Sequence, residues 1–164
     1  MKNGIAILLL NSLFLCNVLG QNAPKIQKAY AFYTMYIPGM AMADEKGNTI
    51  NPTPVIDRFI YVESPGTNMP DIRSVLYNNV LFKAAITKLS ENELHIGKKE
   101  DGGREILLKT KKGNSFWKLD VQLASDTDKM PKEAKHIVIQ GRYNKHLYSF
   151  VLNNETRLMT PDRY

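Results

Sequence analysis

Tyr30, Phe32 and Tyr36 stand in one short run, KAYAFYTMYI, separated by even numbers of residues. In an extended chain residues two apart point to the same side, so the three rings would form one row. The negative face of an aromatic ring attracts the polarised C–H groups of a sugar. Tyr30, Phe32 and Tyr36 are therefore the candidate ligand-binding residues. The other side of the run carries Ala29, Ala31, Tyr33, Met35 and Ile37. A strand apolar on both sides is ordinarily buried on both sides, and core is the better reading of the row.

Other chemistry is thinly represented. There are three histidines, His95, His136 and His146. In the final apolar run His136 falls on the side of Val138 and His146 on the side of Tyr148, so they cannot share a metal. A single histidine is too little for zinc. Ser115-Phe116-Trp117-Lys118 matches Ser-x-x-Lys, but that motif works across a helical turn and these residues sit in a strand pattern, where positions three apart diverge. Asp126-x-Asp128 could open a calcium loop, yet calcium takes roughly six to eight oxygens and two acids also describe a solvated turn. Met40 and Met42, with Met35 upstream, offer thioethers to Cu(I), though methionine equally fills gaps in apolar loops. Carboxyl pairs for glycoside hydrolysis can meet from distant strands, and nothing here singles one out. No catalytic residue, metal or cofactor is expected, and the reading leans away from an enzyme.

The start of the chain bears on location. Lys2 precedes an apolar run, Ile5 to Leu15, broken only by Asn11 and Ser12, and Val18 and Gly20 are the small residues before a cut at Gln21. The run is shorter than the roughly 20 residues that cross a bilayer. The alternative is a lipid anchor at Cys16, the only cysteine, but bulky Phe14 and Leu15 precede it. The expectation is a signal peptide over 1–20 and a single β-rich domain over 21–164, periplasmic or secreted, with no transmembrane segment in the mature chain. Without Cys16 that domain has no thiol chemistry and no disulfide. A small secreted eukaryotic domain would more often carry disulfides, which favours a bacterial source. Asn154-Glu155-Thr156 fits a glycosylation sequon and, equally, a polar turn.

The formal charge is +6, with acids interleaved among the bases. Lys98, Lys99, Lys109, Lys111 and Lys112 gather near two turns but are diluted by Glu100, Asp101 and Glu105. Lysines on exposed edges also block sheet aggregation. No nucleic-acid partner is expected. A protein or glycan of the cell envelope is.

The elements that would position these residues are short alternating runs divided by turn signals, the pattern of antiparallel all-β folds. They cover Lys28–Ile37, Val55–Ser64, Asp71–Tyr77, Val80–Leu89, Glu93–Lys99, Arg104–Thr110, Ser115–Ala124 and the hairpin around Asn144-Lys145. In Ser115–Ala124, Trp117, Leu119, Val121 and Leu123 take one side, with Phe116, Lys118, Asp120 and Gln122 on the wet side. Asn78-Asn79 suits a tight turn. Around Asp101-Gly102, pairing Lys98 with Glu105 and Ile96 with Leu107 puts opposite charges together. In the last hairpin Ile137 meets Leu152, Ile139 meets Phe150, and Tyr148 covers Gly141. Ser125–Ala134 has room for one helical turn, limited by Pro131. The predicted fold is an antiparallel β-sandwich, immunoglobulin-like or similar, with a small closed β-barrel as the alternative.

The runs KGNSFWKLDV and IVIQGRYNKHLYSFVLNNETRL, with the signal, resemble small exported single-domain proteins of the Bacteroidota. The resemblance implies an exported β-domain and brings no catalytic or binding residue with it. The expected function is that of an exported non-enzymatic binding or interaction module. A glycan-binding module or a carboxylate-based hydrolase is the alternative.

Overall fold

The computed structural model describes residues 25–37, 42–43, 45–46, 49–50, 53–125, 129 and 131–160. The signal segment with Cys16, the Asp126 and Asp128 pair, and Met40 lie outside them.

All regular structure among the described residues is β. The strands are β1 (Lys28–Tyr36), β2 (Met42–Ala43), β3 (Thr49–Ile50), β4 (Val55–Pro65), β5 (Asp71–Tyr77), β6 (Val80–Lys88), β7 (Glu93–Lys98), β8 (Glu105–Lys109), β9 (Asn114–Leu123), β10 (Ile137–Tyr143), β11 (His146–Leu152) and β12 (Thr156–Arg157). Eight form one sheet in the order β11-β10-β5-β6-β9-β4-β1-β12. Its pairs are antiparallel except β1 with β12. The all-β expectation holds, but the two layers are unequal. The large sheet curls into a half-barrel, and the β7–β8 hairpin is a small second sheet. No helix of the described residues is long and apolar enough to cross a membrane, and no helical turn is present in the described part of 125–134.

Local chemistry explains the strand joints. Asn78 and Asn79 (φ 48° and 70°) and Asn144 and Lys145 (φ 49° and 67°) are paired left-handed residues. That is the two-residue hairpin turn whose twist matches its strands, and asparagine tolerates it well. The last hairpin has the predicted register, Ile137 to Leu152, Ile139 to Phe150 and Gly141 to Tyr148. A Cβ on Gly141 would lie 2.8 Å from the Tyr148 ring, so glycine is required by close approach. Around Asp101, Lys98 does face Glu105, but Leu107 faces His95 and not Ile96. A bulge at Ile96–Gly97 causes the shift, with Gly97 at φ 124°, a value suited to glycine. The bulge lets both Ile96 and Ile106 pack towards the large sheet.

Two apolar clusters lie on opposite sides of the large sheet. The concave side holds Ile60, Val62, Val75, Tyr77, Phe82, Trp117, Leu119, Ile137 and Ile139. Lys25 and Ile26, just before β1, lie over it: the Ile26 amide donates to Tyr148 Oη at 3.3 Å, and Lys25 Nζ lies 5.7 Å from that ring. The convex side holds Phe32, Phe116 and Leu158 under Leu94 and Leu108 of the hairpin. Phe116 therefore departs from the wet-side expectation, being fully buried. Ser115 and Lys118 diverge as a strand requires. The Ser115 hydroxyl donates to the Gly66 carbonyl at 2.7 Å, while Lys118 pairs with Asp120 at 2.7 Å.

Two buried acids tie loops to this frame. Glu155 takes a two-pronged ion pair from Arg58, Nε to Oε2 at 2.9 Å and Nη2 to Oε1 at 3.0 Å, with both side chains buried. Arg58 Nη2 also donates to the carbonyls of Pro131 and Lys132, and the Ala134 amide donates to Glu155. The guanidinium lies 5.6 Å from the Tyr33 ring centroid and 5.4 Å from that of Tyr77. Burial pushes the Tyr77 phenol well above its ordinary value, so it stays neutral.

Glu63 is the second buried acid. It accepts from the Lys111 amide at 2.9 Å and from the Asn114 side chain, with Lys28 Nζ at 3.5 Å. Burial alone would raise its pKa. The Lys111 and Asn114 hydrogen bonds and the Lys28 charge outweigh that and hold the carboxyl below the ordinary glutamate value. A depressed folded value gives stability that is full above the unfolded value, about 4.3, and is lost as pH falls through the folded one. Glu63→Gln should therefore lower Tm at pH 7, with the gap to wild type closing below about pH 4. Thermal unfolding across pH 2–7 checks this, and a constant gap would contradict it.

Candidate functional site

The convex side is covered by the β7–β8 hairpin over only part of its area. Where the hairpin ends, a depression of about 560 Å³ opens, lined by Thr34 of β1, Asp57 and Phe59 of β4, and Lys118, Asp120 and Gln122 of β9. A second, of about 450 Å³, shares Thr34 and Phe59 and runs on past Ile96, Lys98, Met159 and Thr160. Together they form one open groove with Phe59 at its centre.

Strand register builds this floor. Phe59 is paired with Phe32 on one side and Asp120 on the other, and Thr34 is paired with Asp57. Tyr61 is likewise flanked by Tyr30 and Lys118. Because side chains alternate, each of these cross-strand rows reaches the convex side as a unit. The Phe59 ring packs against Phe32 at 6.0 Å and edge-on to Tyr61 at 5.7 Å between centroids. Lys118 Nζ sits 5.3 Å from the Phe59 centroid while bound to Asp120. Phe59 is thus fixed from below and half-exposed above. Asp57 and Gln122 are exposed, and Thr34, Lys118 and Asp120 half-exposed. Burial raises the Tyr61 phenol, partly offset by Lys118, which keeps it a neutral hydrogen-bonding group.

The predicted row is divided by the hairpin. Phe32 is 3% exposed and belongs to the convex cluster. Tyr30 is half-buried against the same cluster, and Tyr36 is half-buried at the far end of β1. The three share one side but do not make an open platform, since the central ring is covered. The ring that the groove offers is Phe59, one strand away. The sequence carried a signal for it: Asp57, Phe59 and Tyr61 alternate in VIDRFIYV as the first row does.

No family model, curated protein or solved structure matches this chain. Its site must be read from geometry alone.

The histidines lie elsewhere. All three are exposed, and His95 Nδ1 is 3.1 Å from Glu105. Among the described residues no three metal-ligating side chains come together. Thr34 and Thr160 bring aliphatic hydroxyls to the groove. Thr160 Oγ1 already donates to the Met35 carbonyl at 2.7 Å. Among the described residues no histidine lines the groove, and its titratable groups are Asp57, Asp120 and the lysines Lys98 and Lys118.

Proposed function

We propose that this protein is an exported, non-enzymatic binding module whose convex groove takes a glycan. The observation that carries the reading is the setting of Phe59. A rigid aromatic ring at the centre of an open groove is flanked by two carboxylates, an amide, an ammonium and a hydroxyl. An apolar face with a few placed polar groups is the general form of a small-ligand site. Here the mixture suits a polyhydroxylated ring: C–H groups against Phe59, and hydroxyls donating to Asp57 and Asp120 or accepting from Gln122 and Lys118. Export rests on the Lys2 start, the apolar run and Gly20 before Gln21.

The test is a screen of neutral and acidic oligosaccharides, followed by amide-shift titration with the best binder. Resonances of Thr34, Phe59 and Gln122 should move together. Asp120→Ala with Gln122→Ala should weaken binding at least tenfold while leaving Tm within a few degrees, because both side chains are at least half-exposed. Binding that ignores this pair, or no binder in the screen, would overturn the glycan reading. Steady release of reducing ends, abolished by Asp57→Asn or Asp120→Asn, would instead indicate a carboxylate-based hydrolase.

A further inference from the structure

Strand direction alternates through most of the large sheet, so one of its ends gathers the starts of β1, β5, β9 and β11 and the finishes of β4, β6 and β10. This rim is made of segments 25–27, 66–70, 89–92, 110–113 and 144–145. Its parts are knitted together. The Gly66 amide donates to the Gly113 carbonyl at 2.8 Å, and the Thr110 amide to the Asn92 carbonyl at 2.9 Å. Lys88 Nζ reaches the Thr67 carbonyl at 3.4 Å. Lys25 meets the Tyr148 ring of β11, and Arg142 is paired in register with Asp71. The rim is therefore one surface.

Charge is shared unevenly between the two ends of the sheet. Lys25, Lys88, Lys111, Lys112, Arg142 and Lys145 are all exposed at the rim, and among the described residues none is ion-paired. The neighbouring acids are already taken, Glu63 by Lys28, Asp71 by Arg73 and Glu93 by Lys109. Of the described acids here only Glu91 stands outside an ion pair. At the opposite end Asp57, Glu100, Asp101 and Glu133 are interspersed with the bases. Apolar side chains stand on the basic rim as well. Met69 is 53% exposed in segment 66–70, Tyr143 40% at the finish of β10, and Leu147 74% near the start of β11.

We propose that this rim docks on an anionic lipid surface. Each lysine or arginine close to such a surface is worth about fivefold in affinity, and those of the rim act together on headgroup phosphates. A soluble polyanion would answer the charges but leave Met69, Tyr143 and Leu147 in water. At a bilayer these side chains enter the headgroup layer, where an amphipathic tyrosine ring is favoured. Charge and apolar exposure on one rim thus point to lipid over an acidic polysaccharide. The groove opens towards the opposite end, at Thr34, Asp57 and Met159, so a docked molecule still presents it. The docking does not depend on what the groove binds.

Vesicle sedimentation tests it. The chain from Gln21 onward holds both apolar clusters entire and lacks the apolar run at 5–15, which could bind lipid by itself. It should sediment with vesicles of phosphatidylcholine mixed with phosphatidylglycerol and not with phosphatidylcholine alone, and added salt should release it. Lys112→Glu with Lys145→Glu should weaken binding at least tenfold. Lys132→Glu with Lys135→Glu, the same change of charge at the opposite end, should leave it unaltered. Met69→Ser with Leu147→Ser keeps the charge and should weaken vesicle binding severalfold, without changing any binding to soluble dextran sulfate. All these side chains are exposed, so folding is retained and checked by circular dichroism. No binding to anionic vesicles, equal binding to neutral ones, or equal losses from the two lysine pairs would overturn the proposal. Vesicle binding indifferent to the Met69 and Leu147 changes would also overturn it, and would make the rim a site for soluble polyanions.

Discussion

Arg58→Ala should destabilise the domain by about 3–5 kcal/mol, the usual consequence of removing one partner from a buried ion pair. The effect is large because of what stays behind. Glu155 would keep a carboxylate in a site 2% exposed, with the Ala134 amide as its remaining donor. The carbonyls of Pro131 and Lys132 would lose their donor too. The damage should reach segment 131–134, Glu155 and the Tyr33 and Tyr77 rings together. Chemical unfolding of Arg58→Ala, Glu155→Gln and the pair Arg58→Met with Glu155→Leu measures this. The double replacement should cost clearly less than the sum of the singles, since it strands no charge. Additive costs would show that Arg58 and Glu155 act separately.

Phe116→Ala should cost a further large amount, about 3–5 kcal/mol for a fully buried phenylalanine. Its consequence is local as well as global. Phe116 is part of the floor on which Leu94 and Leu108 rest, together with Phe32 and Leu158, while the turn end of the β7–β8 hairpin is held separately by the bridge of Lys99 to Leu158. Amide exchange should accelerate over residues 93–109 more than over 137–152, where β10 and β11 pack on the opposite cluster. Uniform loss of protection would mean that the hairpin and the large sheet open as one unit. Since Ile96 lines the groove, the same variant should also weaken whatever binds there.

Most of the strands were legible because their patterns were local. β5 begins and ends where alternation and the flanking turns place it, and the last hairpin keeps the register set by Asn144-Lys145 and the Gly141–Tyr148 contact. The unequal layers were not legible. Phe116 alternates with the wet residues of β9, and only the distant β7–β8 hairpin, folding back over it, makes the position dry. The same hairpin covers Phe32, which splits the aromatic row and moves the exposed ring to Phe59. The bulge at Gly97 escaped too, because charge pairing of Lys98 with Glu105 fixes one rung and says nothing of the next. Arg58 did leave a trace: it interrupts the apolar side Ile56–Ile60–Val62 of its strand, which implied a buried partner. Nothing local could name Glu155, 97 residues away.

The parallel pairing of β12 with β1 also governs the order of assembly. Phe32 lies beside Thr156, and the Leu158 and Met159 amides donate to the Tyr33 and Lys98 carbonyls. The earliest strand of the described domain thus waits for the latest one, and the same stitch fastens the β7–β8 hairpin. Joining segments so far apart in sequence is slow, because chain entropy must be surrendered before the contact gives anything back. A polypeptide emerging N-terminus first from a ribosome would hold β1 half-satisfied until nearly all the rest had followed. Such a topology stays open while the chain is being made and closes at its end.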